Sequence, residues 1–273
     1  MKFTVFLSLA LLSLGTVSCV KKDIRTAKRG AALPSGGPGI NTTAGSLPPG
    51  TKASYSSVPA QGQFIAMTFD DGPVPANTPR LLDMLKERGI KATFFTVGKN
   101  VQAYPNIVRR IISEGHEIAN HTWTHPWLSK MSDAAVRSEL QRSHEALTAI
   151  TGIAPRMYRP PYGAITARQK QWIMSEFGYP TILWSVDPED WRTRNAAMTH
   201  SRIVAQTKPG AIILVHDIHA SSIDAMPSTL DDLLAKGFRF VTVSQLIGMS
   251  KGPGPAPAAV ATVTGPSFTP GSF

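Results

Sequence analysis

Residues 64–73 read Phe64-Ile65-Ala66-Met67-Thr68-Phe69-Asp70-Asp71-Gly72-Pro73, an apolar run that stops at two acids and a turn. Such a run, bounded by turn residues, is typical of a buried strand. Adjacent strand residues point to opposite faces, so the two acids can share one pocket only where the strand breaks, and Gly72-Pro73 provides that break. Because neighbouring carboxylates repel each other, we expect a cation or basic group beside them. The alternative is an acidic turn on the surface.

Similar apolar runs recur along the chain and alternate with amphipathic stretches. The further strand candidates are Ala92–Val97, Glu117–Ala119, Met157–Arg159, Thr181–Trp184, Ile212–Val215 and Arg239–Val241. The helix candidates between them are Pro79–Arg88, Ile107–Ser113, Ala134–Ile150, Ala167–Phe177 and Ser228–Ala235. Strands separated by helices pair in parallel through crossover helices. We therefore predict an α/β fold, a seven-stranded barrel one unit short of a TIM barrel, with an open doubly wound sheet as the alternative.

In either architecture the chemistry belongs at the carboxyl ends of the strands. Polar motifs follow four further strand candidates, namely His121-Thr122-Trp123-Thr124-His125, Arg159-Pro160-Pro161-Tyr162-Gly163, Asp187-Pro188-Glu189-Asp190-Trp191 and His216-Asp217. With Asp70-Asp71, five of the seven strand ends carry polar groups. The sequence therefore predicts one site assembled from several strands.

The histidine pair indicates a metal site. His121 and His125 are four residues apart, and the residues between them have poor helix propensity, so we expect them where a strand runs into a loop. Joined by a carboxylate from another strand end, they would form a two-histidine, one-carboxylate site with open positions for water and substrate. Zinc is our first choice of metal, although this ligand set also suits non-haem iron. The alternative is a pair of unrelated polar residues.

Three other strand ends add groups that could act beside a metal. Arg159 could pair with a carboxylate, and the two prolines after it fix a loop that presents the Tyr162 N–H. Asp190 could orient a histidine, and Trp191 could form the wall of a sugar pocket. His216 has the near-neutral pKa that suits a general acid. Each of these residues could instead be structural.

The ends of the 273-residue chain differ from its middle. Residues 1–19 are predicted to be a signal peptide, with Lys2 before a short apolar run. The single cysteine, Cys19, excludes a disulfide within the chain, and we expect it either to be a lipoprotein lipidation site or to leave with a cleaved signal. Residues 20–60 are predicted to be a basic Gly/Pro/Ser-rich linker and residues 251–273 a disordered tail. Residues 61–250 form the single domain.

The net charge of +10 is concentrated near the amino terminus. Residues 1–52 hold seven Lys or Arg and one acid, and Lys251 lies in the tail, so residues 53–250 carry 20 bases and 17 acids. The domain is therefore close to neutral. This distribution favours contact of the leader and linker with an anionic membrane or cell wall, or simply a solvated linker, and excludes a nucleic-acid-binding domain.

The five motifs, taken in order, resemble those of the polysaccharide deacetylases, the NodB-homology or carbohydrate esterase family four enzymes. The resemblance covers residues 63–248 and begins with Thr68-Phe69-Asp70-Asp71-Gly72 and ends with Leu214-Val215-His216. Five ordered motifs are far more specific than any one of them. The resemblance implies a distorted seven-stranded (β/α) barrel as a single catalytic domain, in agreement with the strand count.

The resemblance also implies a role for each acid and histidine of the first motifs. Asp70 would be the general base, and Arg159 would hold it in place. Asp71, His121 and His125 would bind one divalent metal, with Zn²⁺ first and Co²⁺, Ni²⁺ or Mn²⁺ as alternatives.

The later motifs would complete the catalytic machinery. The Tyr162 N–H would help to form an oxyanion hole, and the Tyr162 ring would contact sugar. Asp190 would tune His216, the general acid. Trp191 and Leu214 would line the groove for the acetyl group.

The activity implied is metal-dependent removal of N-acetyl groups from N-acetylglucosamine residues of a cell-wall polysaccharide. Export and the basic linker favour peptidoglycan, so that the protein would be periplasmic, anchored to a membrane through a lipid on Cys19, or secreted. Alternative substrates are chitin oligomers and O-acetylated xylan. A catalytically silent wall-binding lipoprotein is a third reading, but such a protein would be expected to lose a metal ligand or the base, and none is missing.

Overall fold

The strands lie side by side in the order that parallel pairing predicts. The structure is a computed structural model that describes residues 47, 48 and 50–250. Its strands are β1 Ser54–Tyr55, β2 Phe64–Asp70, β3 Thr93–Thr96, β4 Glu117–Asn120, β5 Thr181–Ile182, β6 Ile212–His216 and β7 Arg239–Phe240. The predicted signal peptide, Cys19, most of the predicted linker and the predicted tail lie outside the described residues.

Helices separate most of the strands. They are α1 Thr78–Glu87, α2 Gly98–Ala103, α3 Pro105–Ser113, α4 Asp133–Thr151, α5 Ala167–Phe177, α6 Asp190–Thr193, α7 Ala196–Gln206, α8 Ala220–Asp224, α9 Met226–Ala235 and α10 Val243–Met249. All five predicted helices form, with ends within two residues of the predicted ones. None of the helices in the described part of the chain has the length and apolar character needed to cross a membrane.

Parallel pairing closes the strands into a distorted barrel. The central sheet has the order β4-β3-β2-β6. Single-residue bridges from Asn120 to Tyr158, from Tyr158 to Thr181 and from Val186 to Ile213 complete the ring. Two further short strands complete the amino-terminal side of the barrel. β7 pairs with the start of β2, and β1 pairs with β5.

The fourth and fifth predicted strands are shorter than expected. Residues 157–159 contribute only the bridges at Tyr158, and the predicted strand Thr181–Trp184 is reduced to Thr181–Ile182. Two prolines follow Arg159 and have no N–H to donate, so a ladder cannot continue there. The barrel is distorted on the side where these segments meet.

The folded domain begins before the predicted boundary at residue 61. Strand β1 pairs with β5, and the Val58 N–H donates to the Gly210 carbonyl at 2.9 Å. The side chains of Tyr55 and Val58 are buried. The last part of the predicted linker is therefore part of the barrel. Its composition resembled a linker because the two apolar side chains lie among polar residues.

The strands bury both faces, and alternation decides which residues face the barrel interior. Ile65, Met67 and Phe69 of β2 pack in the cluster that includes the buried side chains of α1, α3 and α9. Ala66 packs instead with Phe95, Ala119, Met157, Ile182 and Ile212 from the neighbouring segments around the ring. Side chains two residues apart share a face, so Thr68 and Asp70 also point into the barrel. The same alternation places Leu214 and His216 inside.

Helix ends are fixed by local sequence on the side of the barrel that carries the histidine loop. The Ser132 side chain accepts from the Ala135 N–H to begin α4, and Gly152 ends this helix in the left-handed conformation that glycine adopts without strain. Thr166 and Gln169 form a capping box at the start of α5. These caps fix where α4 begins and ends and where α5 begins.

Candidate active site

The site lies at the carboxyl end of the barrel, where β2 and β6 end together. Asp70 and His216 are register partners on these neighbouring strands. Asp71 follows Asp70 with a left-handed backbone (φ 76°), which turns its side chain away from strand alternation. The Asn100 side chain donates to the Asp71 carbonyl at 2.8 Å and holds this turn. The strand break therefore brings both predicted carboxylates to one pocket.

Gly72 allows the chain to turn tightly beside a buried acid. The Asp217 carboxylate lies so close that a Cβ at Gly72 would overlap it. Asp217 also accepts from the Thr78 hydroxyl at 2.5 Å. Burial, with the charges of Asp71 and Asp70 nearby, raises the pKa of Asp217 to about 7, against the smaller opposing effects of its hydrogen bonds. Gly72 is thus required by packing, and the acid beneath it supports the turn.

Asp71, His121 and His125 converge on one point. Asp71 Oδ1 lies 3.3 Å from His121 Nε2 and 3.1 Å from His125 Nε2. One potential ligand atom from each residue lies within 4.8 Å of the others. These are the three residues for which a metal-binding role was predicted.

Hydrogen bonds behind the histidines orient their Nε2 atoms toward Asp71. His121 Nδ1–H donates to the Arg159 carbonyl at 2.7 Å, so a neutral His121 presents an unprotonated Nε2 to the site. His125 Nδ1 lies 3.2 Å from Tyr162 Oη and presents Nε2 in the same way when Nδ1 is the donor. Both contacts are of the kind that fixes metal-binding histidines.

The charge balance of this cluster fits a cation. Asp71 Oδ1 is buried and has no hydrogen-bond donor when both Nε2 atoms are unprotonated. Although burial alone would raise it, the pKa of Asp71 is lowered well below its ordinary range by hydrogen bonds and charge from His121 and His125. Asp71 is therefore a carboxylate anion at neutral pH, with two imidazole nitrogens directed toward it. Two imidazoles and a carboxylate are a common divalent-metal ligand set, so the residues present fit the predicted metal.

Glu139 of α4 holds the histidine loop. Its carboxylate accepts from the Trp123 N–H at 2.9 Å, from the Thr124 N–H at 2.7 Å and from the Thr124 hydroxyl at 2.8 Å. Glu139 could not be identified from the sequence, because a glutamate on a long amphipathic helix carries no signal of a loop partner. The two histidines thus owe their spacing to a helix side chain as well as to β4.

Arg159 fixes Asp70 at the other side of the cluster. The guanidinium is fully buried and donates to Asp70 Oδ1 at 2.6 Å and to the Thr68 hydroxyl at 2.8 Å. Its other donors reach the carbonyls of Ile182 and Leu183, each at 3.1 Å. Asp70 Oδ2 remains directed to the site, 3.7 Å from His121 Nε2. The structure thus pairs the predicted base with the arginine predicted to hold it.

Asp190 holds His216 through two hydrogen bonds. His216 Nδ1–H donates to Asp190 Oδ1 and the His216 backbone N–H donates to Asp190 Oδ2, both at 2.9 Å. The Ser222 hydroxyl also donates to Oδ2, at 2.6 Å. Burial lowers the pKa of His216, but the Asp190 hydrogen bond and the nearby carboxylate charges outweigh it and raise this pKa to about 9. His216 is therefore protonated at neutral pH.

The three predicted groove residues, Tyr162, Trp191 and Leu214, differ in how far their side chains are exposed. Tyr162 has a left-handed backbone (φ 60°) and an exposed ring that reaches His125. Leu214 is buried and faces the barrel interior two residues before His216. Trp191 follows Asp190 with its indole about half exposed. All three predicted groove residues lie on segments that carry the site, and their contacts with substrate stay a prediction.

Two exposed or polar residues near the site were not predicted. Trp127 stacks on Tyr162 with a centroid distance of 4.6 Å. Ser222 supports Asp190, as described above. Trp127 follows the histidine motif by two residues, so its position next to His125-Pro126 is the one sequence signal that could have drawn attention to it.

Fold and site together define a class of protein, a (β/α) barrel with a two-histidine, one-carboxylate centre at the carboxyl ends of its strands. The family model for polysaccharide deacetylases matches residues 57–182. Similarity to individual members extends further than this match, over about three quarters of this chain. The chain belongs to the polysaccharide deacetylase family.

Two curated relatives share 40% identity with the chain. The peptidoglycan-N-acetylglucosamine deacetylase PgdA of Listeria monocytogenes matches over 202 residues, which are 74% of this chain and 42% of that protein. A peptidoglycan-N-acetylglucosamine deacetylase of Bacillus cereus matches over 205 residues, which are 73% of this chain and 74% of that protein. The chain therefore spans less than half the length of the Listeria relative and about three quarters of the Bacillus one.

A solved structure confirms the fold. The Bc1960 peptidoglycan N-acetylglucosamine deacetylase, in complex with 4-naphthalen-1-yl-N-oxidanyl-benzamide, has a TM-score of 0.69 and 38% identity, and the match covers 73% of this chain and 94% of that chain. The predicted family and the predicted distorted (β/α) barrel are both confirmed by these comparisons.

Proposed function

We propose that this protein is a metal-dependent deacetylase that removes N-acetyl groups from N-acetylglucosamine residues of peptidoglycan. The observation that carries the proposal is the convergence of Asp71, His121 and His125, with Asp70 and His216 beside them. The similarity to two peptidoglycan-N-acetylglucosamine deacetylases supports the substrate. Deacetylation of chitin oligomers by the same groups is the second candidate, since these residues would act on the acetylated sugar unit and not on the rest of the polymer.

A divalent metal, with Zn²⁺ as our first choice, would be held by Asp71, His121 and His125. When bound, such an ion supplies a Lewis acid that lowers the pKa of a bound water and stabilises negative charge. Elemental analysis of the purified protein identifies the metal. A chain purified without zinc, cobalt, nickel, manganese or another divalent metal, yet fully active, would contradict this part of the proposal.

The protein's own residues would divide the proton transfers between two sides of the site. Asp70, held in place by Arg159, would take a proton from the attacking water. The Tyr162 N–H would donate a hydrogen bond to the oxygen that becomes negative, a contact worth about 3 kcal/mol in comparable sites. His216, protonated at neutral pH, would give a proton to the departing sugar nitrogen. The products are acetate and a glucosamine unit.

Replacing Asp70 with Asn tests the base. Because Asn can still accept from Arg159, the fold should remain, and we expect D70N to lose at least about a thousandfold in kcat with metal still bound. Acetate release from peptidoglycan and from chitin oligomers, followed by mass spectrometry, measures this effect and separates the two substrates.

A matched control is D231N, which changes an exposed aspartate on α9 that pairs with Arg88. D231N should turn over like the unchanged protein. Turnover by D70N at the rate of D231N would remove Asp70 from the base role.

We further propose that the protein is exported and that Cys19 carries a lipid anchor. The support is the short apolar run after Lys2 and the cysteine that ends it. Fractionation of cells that produce the protein and its C19S variant tests the anchor. Equal release of both proteins from the membrane fraction would argue for a cleaved signal instead.

A further inference from the structure

Exposed aromatic side chains gather around the site. Among the described residues, the exposed large apolar side chains are Trp127, Tyr162, Trp191, Met198 and Leu234. The three aromatic ones all lie on segments that carry the site, with Trp191 in the short helix α6 and Trp127 directly after the His125-Pro126 pair. Exposed apolar groups that cluster in this way mark a binding surface more often than isolated ones do.

The rings of His125, Tyr162 and Trp127 form a continuous path outward from the ligand cluster. His125 and Tyr162 have ring centroids 4.7 Å apart. Trp127 then stacks on Tyr162 with centroids 4.6 Å apart and planes inclined by 20°. Trp127 is therefore separated from His125, a predicted metal ligand, by two ring contacts. This separation is comparable to the spacing between neighbouring sugars in a polysaccharide.

The backbone holds Trp127 in its exposed position. Leu128, the next residue, is fully buried, and its carbonyl accepts from the Gln169 side chain at 2.9 Å. The Ser129 N–H donates to the Ala164 carbonyl at 3.1 Å, which joins this segment to the loop after Tyr162. The indole nevertheless stays 48% exposed. Its exposure is thus imposed by a fixed loop and is not the result of a loose one.

We propose that Trp127, stacked on Tyr162, is a subsite for the sugar next to the one that is deacetylated. The proposal rests on the proposed function and adds a specificity-determining residue to it. An aromatic face suits the apolar face of a pyranose ring, and sugars bind in clefts lined by such rings. The enzyme should therefore prefer polymers and longer oligomers to short fragments.

Lys130 does not block this subsite. Its ammonium lies 4.7 Å from the centre of the Trp127 ring, and the residue is exposed. A cation–π contact at an exposed position is weak, and a lysine side chain has many other rotamers in water. A pyranose ring can therefore displace the ammonium from the indole face.

Substitution of Trp127 tests the subsite through its dependence on oligomer length. For N-acetylglucosamine and its oligomers up to the pentamer, kcat/KM of the unchanged protein should rise most from the monomer to the dimer, the first oligomer that reaches the neighbouring subsite. In W127A the dimer-to-monomer ratio of kcat/KM should fall about tenfold, mainly through KM, as for the loss of one stacking contact. W127Y keeps an aromatic face and should retain most of the ratio, whereas L234A removes an exposed apolar group from α9 and should leave the ratio unchanged.

Calorimetric binding of the same oligomers to the metal-loaded proteins separates this inference from the proposed function. If the unchanged protein binds the dimer more tightly than the monomer and W127A does not, the subsite stands whether or not acetate is released. Absence of acetate release from every oligomer and from peptidoglycan would instead count against the deacetylase assignment. Equal monomer and dimer binding by the unchanged protein, or a W127A ratio equal to that of L234A, would overturn the subsite.

Discussion

The protonation of His216 depends on a single buried partner. Asp190 accepts from both the ring and the backbone of His216, and the pKa of Asp190 is lowered in turn, since hydrogen bonds and charge from His216 outweigh its burial. A general acid must carry its proton when the leaving group departs. His216 meets this requirement up to a pH of about 9.

The pH dependence of turnover follows from this pair. Because the acid form is the active one, kcat should be level below the His216 pKa and fall as pH rises through about 9. In D190N the pKa should return toward the ordinary value of about 6.5, so that the fall begins more than one pH unit lower. A pH–rate profile of both proteins, at saturating substrate, measures the shift. An alkaline limb at the same pH in D190N would show that Asp190 does not set this pKa.

At the scale of elements, α4 and the loop after β4 act together. The loop has no regular hydrogen-bonded structure between His121 and His125, and it includes left-handed backbones at Thr122 and His125. Glu139 supplies acceptors for two of its N–H groups and one hydroxyl. The geometry of the metal site is therefore determined partly by a helix that contributes no ligand.

Removing the Glu139 carboxylate should weaken metal binding. We expect E139A to lose about ten- to a hundredfold in zinc affinity, as is usual when groups that orient ligands are lost. The control is E145A, on the same helix, where the glutamate is exposed and contacts Gln141. Competition with a chromophoric chelator gives both affinities. Zinc binding by E139A as tight as that by E145A would mean that the loop holds its own shape.

At the scale of the whole molecule, the barrel is closed by short pieces of chain that are far apart in sequence. The segment from β1 to Val58 lies beside both β5 and the start of β6, through the pairing of Tyr55 with Ile182 and the bridge from Ser57 to Ala211. This segment comes before the predicted domain start at residue 61. The described fold thus needs residues that composition assigned to a linker.

Shortening the chain tests this boundary. A chain of residues 61–250 lacks the buried side chains of Tyr55 and Val58, and we expect its free energy of unfolding to be lower by about 3 kcal/mol or more than that of residues 47–250. Denaturant unfolding of the two chains measures the difference. Coincident unfolding curves would place the true boundary where the sequence predicted it.

The sequence predicted the features that depend on residue type and local order. Strands β2, β3, β4 and β6 form where strands were predicted, and site residues lie at or directly after the ends of β2, β4 and β6. The strand break at Gly72-Pro73 was predicted from turn chemistry, and the structure shows both acids beside it. The family motifs added the roles of Asp70, Arg159 and His216, which remain predictions until activity is measured.

Features that depend on contacts between distant segments could not be predicted in this way. Glu139 and Ser222 look like ordinary surface residues of helices until the loops they support are in place. Strand β1 is only two residues long and has no partner of its own until β5 forms. These omissions are long-range effects that a linear pattern does not contain. The strand expected at 157–159 is a different case, because the prolines that end its pairing follow it directly in the sequence.

The contacts of the Arg159 side chain determine which residue should be replaced to inactivate this protein. Its guanidinium joins the ends of separate barrel segments and also restrains Asp70. The same side chain therefore stabilises the fold and positions a predicted catalytic residue. Loss of this buried cation would leave an unpaired carboxylate and two carbonyls without their donors, and the chain would be expected to misfold before its chemistry could be judged. Asp70 can be neutralised with its hydrogen bond preserved. An inactive but folded variant that traps bound glycan should therefore be made by replacing Asp70 and not by replacing Arg159.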